Sequence, residues 1–571
     1  MLDACLTAQS KSILHLTAWN PYKYDLRLDE GRIFLFLWSI AMFWQRLIEN
    51  HFIDYFILFI YAIGMVAVAV YTRGRSKSVN DFLLAGKRGL NGWMSAFAYG
   101  TTYFSSVIFI GYAGKFGQQY GLASIWIGVG NAIIGALVAW CVLAKRTKNM
   151  TARLSAKTMP DFFEKRYGSK GLKVTSAVVI FLFLIPYSAS VYSGLSALFE
   201  TVFGIPGWAV MIFLAVLTAV YLFFGGYFAT ALSDFIQGII MVAGILLTVW
   251  CFMRNGAVNW DISEIVNDPE LTLFTFGSSN KGLYGNTVSL ISLILLTSFG
   301  VWALPQTIHK YYAIRDKRAI RQGTVVSTVF AFIIGFCAYF IGSLSKLFSG
   351  EGSILGAGEN LVVGDLVVPT MLAAVVPTGL IGLVAVLILS ASMSTLSSVS
   401  LASASVVAVD IYKGAVNKRA SDKRTNTVMR ILCLVFILIS VLLAIANEKL
   451  GITAIAYMMG LSWGTLAGCF MGPFVLGVLW RKTTRASVWV SIIGSLSLTA
   501  ILILFFGYHQ HNFACTFGVA LKSGVGCSPM IGVICMIYSL ISTFTVSCFT
   551  KRPTKKMIHR AFDQPIENEI K

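Results

Sequence analysis

This 571-residue chain is 57% hydrophobic and only 12% charged, with a mean hydropathy of +0.75. A soluble protein would carry about a quarter charged residues, and the recurring apolar runs of twenty or more are too long and too continuous for the alternating strands of a membrane β-barrel. The net charge of +20 is gathered in alternate loops, which argues against nucleic-acid binding and for a polytopic, all-α membrane protein.

Residues 1–51 contain an apolar run, IFLFLWSIAMFW (33–44), flanked by Arg32 and Arg46. It is short for a span and lacks a following small-residue cleavage site. It reads as an interfacial helix or as sequence ahead of a later start at Met42. Residues 52–550 form one membrane domain, and 551–571 a basic tail.

Thirteen spans are predicted, at about 52–72, 93–114, 121–144, 173–199, 205–225, 234–253, 286–312, 324–347, 378–412, 427–446, 452–479, 486–507 and 529–549. Lys and Arg concentrate in the loops 73–92, 145–172, 311–323, 412–424 and 480–485 and in the tail. By the positive-inside rule these are cytoplasmic, so the N-terminal side of the first span lies outside and the C-terminus inside. The expected location is a plasma membrane of bacterial type.

Two spans read as interrupted. The second holds AFAYGTTYFSSV (96–107), with Gly100 followed by hydroxyl-bearing residues at mid-depth. The seventh holds TSFGVWALPQTIHK (297–310), in which Gly300 and Pro305 weaken the helix and Gln306 places an amide in the bilayer. An isolated break would be an ordinary kink. Two breaks five spans apart, in opposite orientation, point to the binding site of a secondary transporter built on inverted repeats.

Between them, FFGGYFATALSDFIQG (223–238) sets Asp234 at the cytoplasmic start of the sixth span. An ionisable group at that depth is costly and usually functional. The ninth span contains SASMSTLSSVSLASAS (390–405), nine hydroxyls in sixteen residues without a charge. Ala391, Ser394, Thr395 and Ser398 share one face at helical spacing, and Ser397 can turn toward it. Such a stretch fits close helix packing and equally fits a hard monovalent cation, which seeks uncharged oxygens. Asp234 beside Ser394, Ser397 and Ser398 would make a second, charged cation site.

No G-x-x-x-x-G-K-[ST] loop is present, and no histidine falls near Asp234 in this topology. An enzyme is therefore not expected, and no obligate protein partner is implied. Cys515 and Cys527 share the last external loop, where a disulfide is open.

The segments GGY-x-A-x-x-x-x-D-x-I-Q (225–237), A-S-M-S-T-L-S-S (391–398), Asp410–Ile411–Tyr412 and DFLLAGKRGLNGW (81–93) together resemble the sodium/solute symporter family over about 52–550. That family includes sodium/proline, sodium/sugar and sodium/sialic acid symporters. The resemblance implies a thirteen-helix LeuT-type fold with a 5+5 inverted repeat. It implies a first Na⁺ site of the Thr101, Phe104 and Ala391 carbonyls with the Ser394 and Thr395 hydroxyls. A second Na⁺ site would use Asp234, Ser394, Ser397 and Ser398, giving one or two coupling ions. The solute would sit beside Tyr103, Ser105, Trp302 and Gln306. Proline-carrying members have an acidic residue where Tyr103 stands and aromatic residues where Thr297 and Val301 stand, so the solute is poorly specified. A half-helix amide end near Ser105 suits a carboxylate, which favours an amino acid or small monocarboxylate. Sugar, sialic acid and pantothenate remain open, as does coupling to protons.

Overall fold

The computed structural model describes residues 51–73, 78–84, 90–267, 273, 285–451 and 454–565. The apolar run 33–44, most of the loop 268–284 and the last six residues of the tail lie outside this set. In hydrocarbon every backbone amide must be paired within the chain, so the apolar runs become helices. In chain order they include α1 (Phe52–Thr72), α2 (Gly92–Tyr103), α3 (Val107–Leu154), α4 (Met159–Tyr167), α5 (Lys170–Phe203), α6 (Gly207–Arg254) and α7 (Gly285–Gly300). There follow α8 (Pro305–Tyr312), α9 (Lys317–Ser343), α10 (Ile381–Ser405), α11 (Asp422–Leu450), α12 (Ile455–Met471), α13 (Arg485–Gln510) and α14 (Ser528–Phe549).

Among the described residues, eleven helical runs are long and apolar enough to cross a bilayer. Two of them, α3 and α6, have 48 residues each. Straight, each would reach about 72 Å, more than twice the roughly 30 Å of hydrocarbon. Neither is straight. Gly226 inside α6 has φ 60° and ψ −158°, and Gly121, in the stretch of α3 that follows Tyr120, has φ 56° and ψ −137°. Both are conformations that only glycine enters without strain, and a Cβ on Gly226 would lie 2.8 Å from the Phe82 ring.

Both expected interruptions are present. α2 opens on Asn91, whose side chain accepts from the Met94 amide at 2.8 Å, and stops at Phe104, which is extended (φ −100°, ψ 108°). α7 stops at Gly300, and Leu304 is extended (φ −77°, ψ 125°) before Pro305 starts α8 at the one helical position where its missing N–H costs nothing.

Burial separates centre from periphery. The most apolar window of α10 is 94% buried, against 22% for α1. The hydroxyl-rich helix is therefore the heart of the bundle, and α1 leaves most of its apolar surface for lipid. α10 packs mainly on α6 and α5, while α3 and α9 approach so closely that a Cβ on Gly117 would lie 2.3 Å from the Gly342 backbone, a small-residue contact typical of membrane helices.

The basic segments meet at one end. Arg315 N–H donates to the Leu90 carbonyl (3.1 Å), Lys148 reaches the Arg315 carbonyl, and Arg166 Nη2 donates to the Trp480 carbonyl (3.2 Å). The tail folds back onto the same end through Arg481 on Asp563 (2.6 and 3.0 Å) and Arg153 Nε on the Gln564 carbonyl (2.8 Å). At the other end Cys515 and Cys527 are separate thiols, and Cys527 Sγ accepts from Gln510 at 3.1 Å.

Candidate functional site

The break in α2 lies against the middle of α10, and hydroxyls of α10 reach across to its last turn. Ser394 Oγ donates to the Thr101 carbonyl at 3.0 Å and approaches the Ala391 carbonyl at 3.1 Å. Thr395 Oγ1 lies 3.4 Å from both the Thr101 and Thr102 carbonyls. These groups are fully or almost fully buried. The fold thus brings together four of the five residues expected around the first cation: Thr101, Ala391, Ser394 and Thr395. The fifth, Phe104, stands at the break itself. Its amide is tied to the Gly100 carbonyl (3.1 Å), and its ring packs on Tyr103 at 4.8 Å and Phe330 at 6.2 Å. All members of this cluster are uncharged oxygens, the ligand type a hard monovalent cation accepts.

One turn further along α10 the picture changes. The expected set of Asp234 with Ser394, Ser397 and Ser398 is divided. Ser397 Oγ donates back to its own helix at the Ser394 carbonyl (2.9 Å), the local bond that hydroxyls in helices commonly make. Asp234 reaches Ser398 only through a residue the sequence reading overlooked. Lys310 Nζ lies 3.3 Å from Asp234 Oδ2 and donates to Ser398 Oγ at 2.8 Å. Ser398 Oγ in turn shares a hydrogen bond with Thr102 Oγ1 (2.9 Å). The side chains of Lys310 and Asp234 are 2% and 0% exposed, so this is a desolvated ion pair. A lysine inside the predicted seventh span, five residues beyond Pro305, was the available signal. His309 also corrects the expectation that no histidine falls near Asp234. It is buried against Tyr227 (ring centroids 5.2 Å) and precedes the lysine that holds Asp234.

The expected solute residues are distributed around the two breaks. Tyr103 Oη donates to the Thr297 carbonyl at 2.7 Å, satisfying one of the last four carbonyls of α7 and tying one broken span to the other. Ser105 Oγ accepts from the Val107 amide (3.3 Å), so it caps the half-helix that follows the first break. Gln306 is buried, and its Oε1 has no hydrogen-bond partner among the described residues. Trp302 turns toward α3, where its Nε1 donates to the Ile134 carbonyl at 3.0 Å. Two further aromatics complete the surroundings of Tyr103. Trp463 of α12 lies 6.0 Å from the Tyr103 ring and 5.5 Å from that of Tyr187 on α5. Trp463 Nε1 and Tyr187 Oη are both buried, and the Tyr187 hydroxyl lies near Ser105, Thr395 and Trp463. A lone Trp or Tyr in a long apolar helix carries no sequence signal that marks it as lining a site.

At the basic end a separate charged cluster joins α4, α5 and the helical turns that follow α10 (Val406–Val416). Lys173 Nζ sits 2.9 Å from Glu164, 3.1 Å from Asp161 and 3.4 Å from Asp410. Asp410 Oδ2 accepts from Thr158 Oγ1 at 2.6 Å. Burial alone would raise the Asp161 carboxyl, but Lys173 and Lys165 beside it hold it below the ordinary carboxylate range.

The family model described as the sodium:solute symporter family matches residues 82–494. Similar proteins include the osmoregulated proline transporter of Bacillus subtilis, 28% identical over 502 residues, covering 87% of this chain and 94% of the relative. The sodium/pantothenate symporter of Haemophilus influenzae is 27% identical over 477 residues, covering 81% and 93%. The sodium/proline symporter of Escherichia coli is 27% identical over 444 residues, covering 77% and 86%. Among solved structures, a Na⁺-coupled sialic acid symporter in a substrate-bound, outward-open state superposes with a TM-score of 0.68 at 18% identity. It covers 88% of this chain and 99% of that one, a likeness of fold.

Proposed function

The chain belongs to the sodium:solute symporter family and carries a small solute together with sodium, and from that premise we propose how its residues divide the work. Sodium is held by the Thr101, Phe104 and Ala391 carbonyls and the Ser394 and Thr395 hydroxyls. The observation that carries this is the reach of Ser394 and Thr395 onto the last turn of α2 beside its break (3.0 and 3.4 Å). An ion at that place draws the broken helix against α10. The solute sits beside Tyr103, Ser105 and Gln306, with Trp463 and Tyr187 offering buried donors. Trp302 borders the site from the second break.

The fold is a 5+5 inverted repeat of thirteen spans, in which the turns at Gly121 and Gly226 divide the two overlong runs. Alternating access follows: sodium and solute enter from outside, the outer side closes, and release of sodium toward the basic, cytoplasmic end releases the solute. One charge crossing 100 mV contributes about 2.3 kcal/mol to accumulation. The location is a plasma membrane with the C-terminus inside. The family and the named relatives are transporters rather than enzymes. The solute is an amino acid or small monocarboxylate. Two named relatives carry proline and another pantothenate, the latter itself a carboxylate.

A thermal-shift screen of the purified protein against amino acids, monocarboxylates, sugars, sialic acid and pantothenate, in Na⁺ and in choline, tests this. A ligand that stabilises only in Na⁺, with the effect lost in Ser394→Ala, is the expected result. Stabilisation indifferent to the cation sinks the sodium assignment.

A further inference from the structure

Resting on the sodium-symport reading above, we propose that Lys310 is a tethered resident cation of the second site, and that it limits this carrier to one sodium per cycle. The group that Asp234 would need for a second ion is already engaged by a positive charge of the chain itself. Lys310 Nζ lies 3.3 Å from Asp234 Oδ2 and 2.8 Å from Ser398 Oγ. It also stands 5.2 Å from the centre of the Tyr227 ring, whose face attracts cations. A carboxylate, a hydroxyl and an aromatic face thus surround the ammonium, the first two being groups a sodium ion would also have sought.

Charge balance makes the two occupants exclusive. With Lys310 in place the cluster of Asp234, Ser398 and Thr102 is neutral. Adding sodium would leave an uncompensated positive charge in a buried site, a few ångströms from another cation. Asp234 Oδ1 has no hydrogen-bond partner among the described residues. Removing Lys310 would therefore leave a carboxylate with both oxygens free beside Ser398, and sodium could take the place of the ammonium.

The position of Lys310 in the chain gives the device a role in the cycle. It lies on α8, the half-helix that begins at the second break, while Ser398 lies on α10 and is bonded to Thr102 of α2. A cation carried by the chain cannot be released to the cytoplasm, so it balances Asp234 throughout and contributes nothing to the driving gradient. With an electrically neutral solute, each turnover then moves one net positive charge.

Equilibrium binding of radiolabelled sodium to the purified full-length protein reads the stoichiometry directly. Wild type is expected to saturate at one sodium per chain. Lys310→Met is expected to bind a second sodium, which is lost again in Lys310→Met/Asp234→Asn. Two sodium ions per wild-type chain, the second lost in Asp234→Asn, would overturn the proposal, as would a folded Lys310→Met that still binds one. Should Lys310→Met not fold, Lys310→Gln, which can still hydrogen-bond to Asp234, takes its place, and the wild-type stoichiometry alone still decides against the proposal if it is two. Wild type binding no sodium is a different failure, because it removes the sodium reading itself.

Discussion

Two cation-facing clusters lie one helical turn apart on α10, and they are built oppositely. Around Ser394 and Thr395 every group is a neutral oxygen, drawn from two helices, one of them α2 at the end where it breaks. Around Ser398 a carboxylate and an ammonium face each other, both buried. The first cluster can gain a positive charge without losing a partner. The second cannot, since its positive charge is covalently attached. On the proposed reading, neighbouring positions on one polar stripe serve different ends: one would exchange an ion with solution, while the Lys310–Asp234 pair ties the half-helix α8 to the core.

The comparison breaks or sharpens most strongly at Asp234. Asp234→Ala leaves Lys310 buried and unpaired, which is expected to cost about 3–5 kcal/mol and to lower the Tm of the purified protein sharply. Asp234→Leu combined with Lys310→Met, which removes both charges, is expected to recover most of that loss. If the single substitution is as stable as wild type, the pair is not desolvated and the contrast fails.

Ser394→Ala is expected to act on the other cluster alone. The apparent sodium affinity, read by titrating the Tm with Na⁺, should weaken by about tenfold, about 1.4 kcal/mol, while in choline only the modest loss of the Ser394 bond to the Thr101 carbonyl, about 1 kcal/mol, is expected. A large fall in choline would mean that the hydroxyl is packing rather than a ligand.

Tyr103→Phe should leave both clusters intact. It deletes the bond from Tyr103 Oη to the Thr297 carbonyl (2.7 Å), with an expected loss of about 1 kcal/mol. Sodium titration should be unchanged and the solute-induced shift reduced.

The smallest effect concerns the cluster at the basic end. Asp161 is held below the ordinary carboxylate range in the folded protein. Its contribution to stability is complete above the unfolded value of about 4 and is lost as pH falls through the lower folded value. The Tm should therefore hold from neutrality down to about pH 5 and decline below about pH 4, and Asp161→Asn should flatten that decline.

The breaks were legible because local chemistry causes them. Pro305 cannot continue a helix through its own amide, and the Gly100-to-Ser106 segment offers hydroxyls that compete for the backbone. The polar face of α10 was legible from spacing alone, because Ala391, Ser394, Thr395 and Ser398 share it in any helix. Lys310 was not. Its place inside the predicted seventh span marked it as unusual, but its partners, Asp234 and Ser398, lie on other helices and no spacing rule names them. The turn of Ser397 onto its own helix and the approach of Trp463 to Tyr103 were equally invisible, since both depend on which neighbour claims the space.

Composition and periodicity by themselves determined that this protein is a helical bundle in a membrane, with two broken spans and one hydroxyl-rich helix. Those properties follow from backbone pairing in hydrocarbon and from side-chain spacing within single segments. Only the tertiary structure decided which of the polar groups meet. Asp234 and Lys310 are 76 residues apart, and Lys310 and Ser398 are 88, distances over which no local rule acts. Their contact is set by how α6, α8 and α10 pack, because a buried charge is stable only where packing delivers its partner.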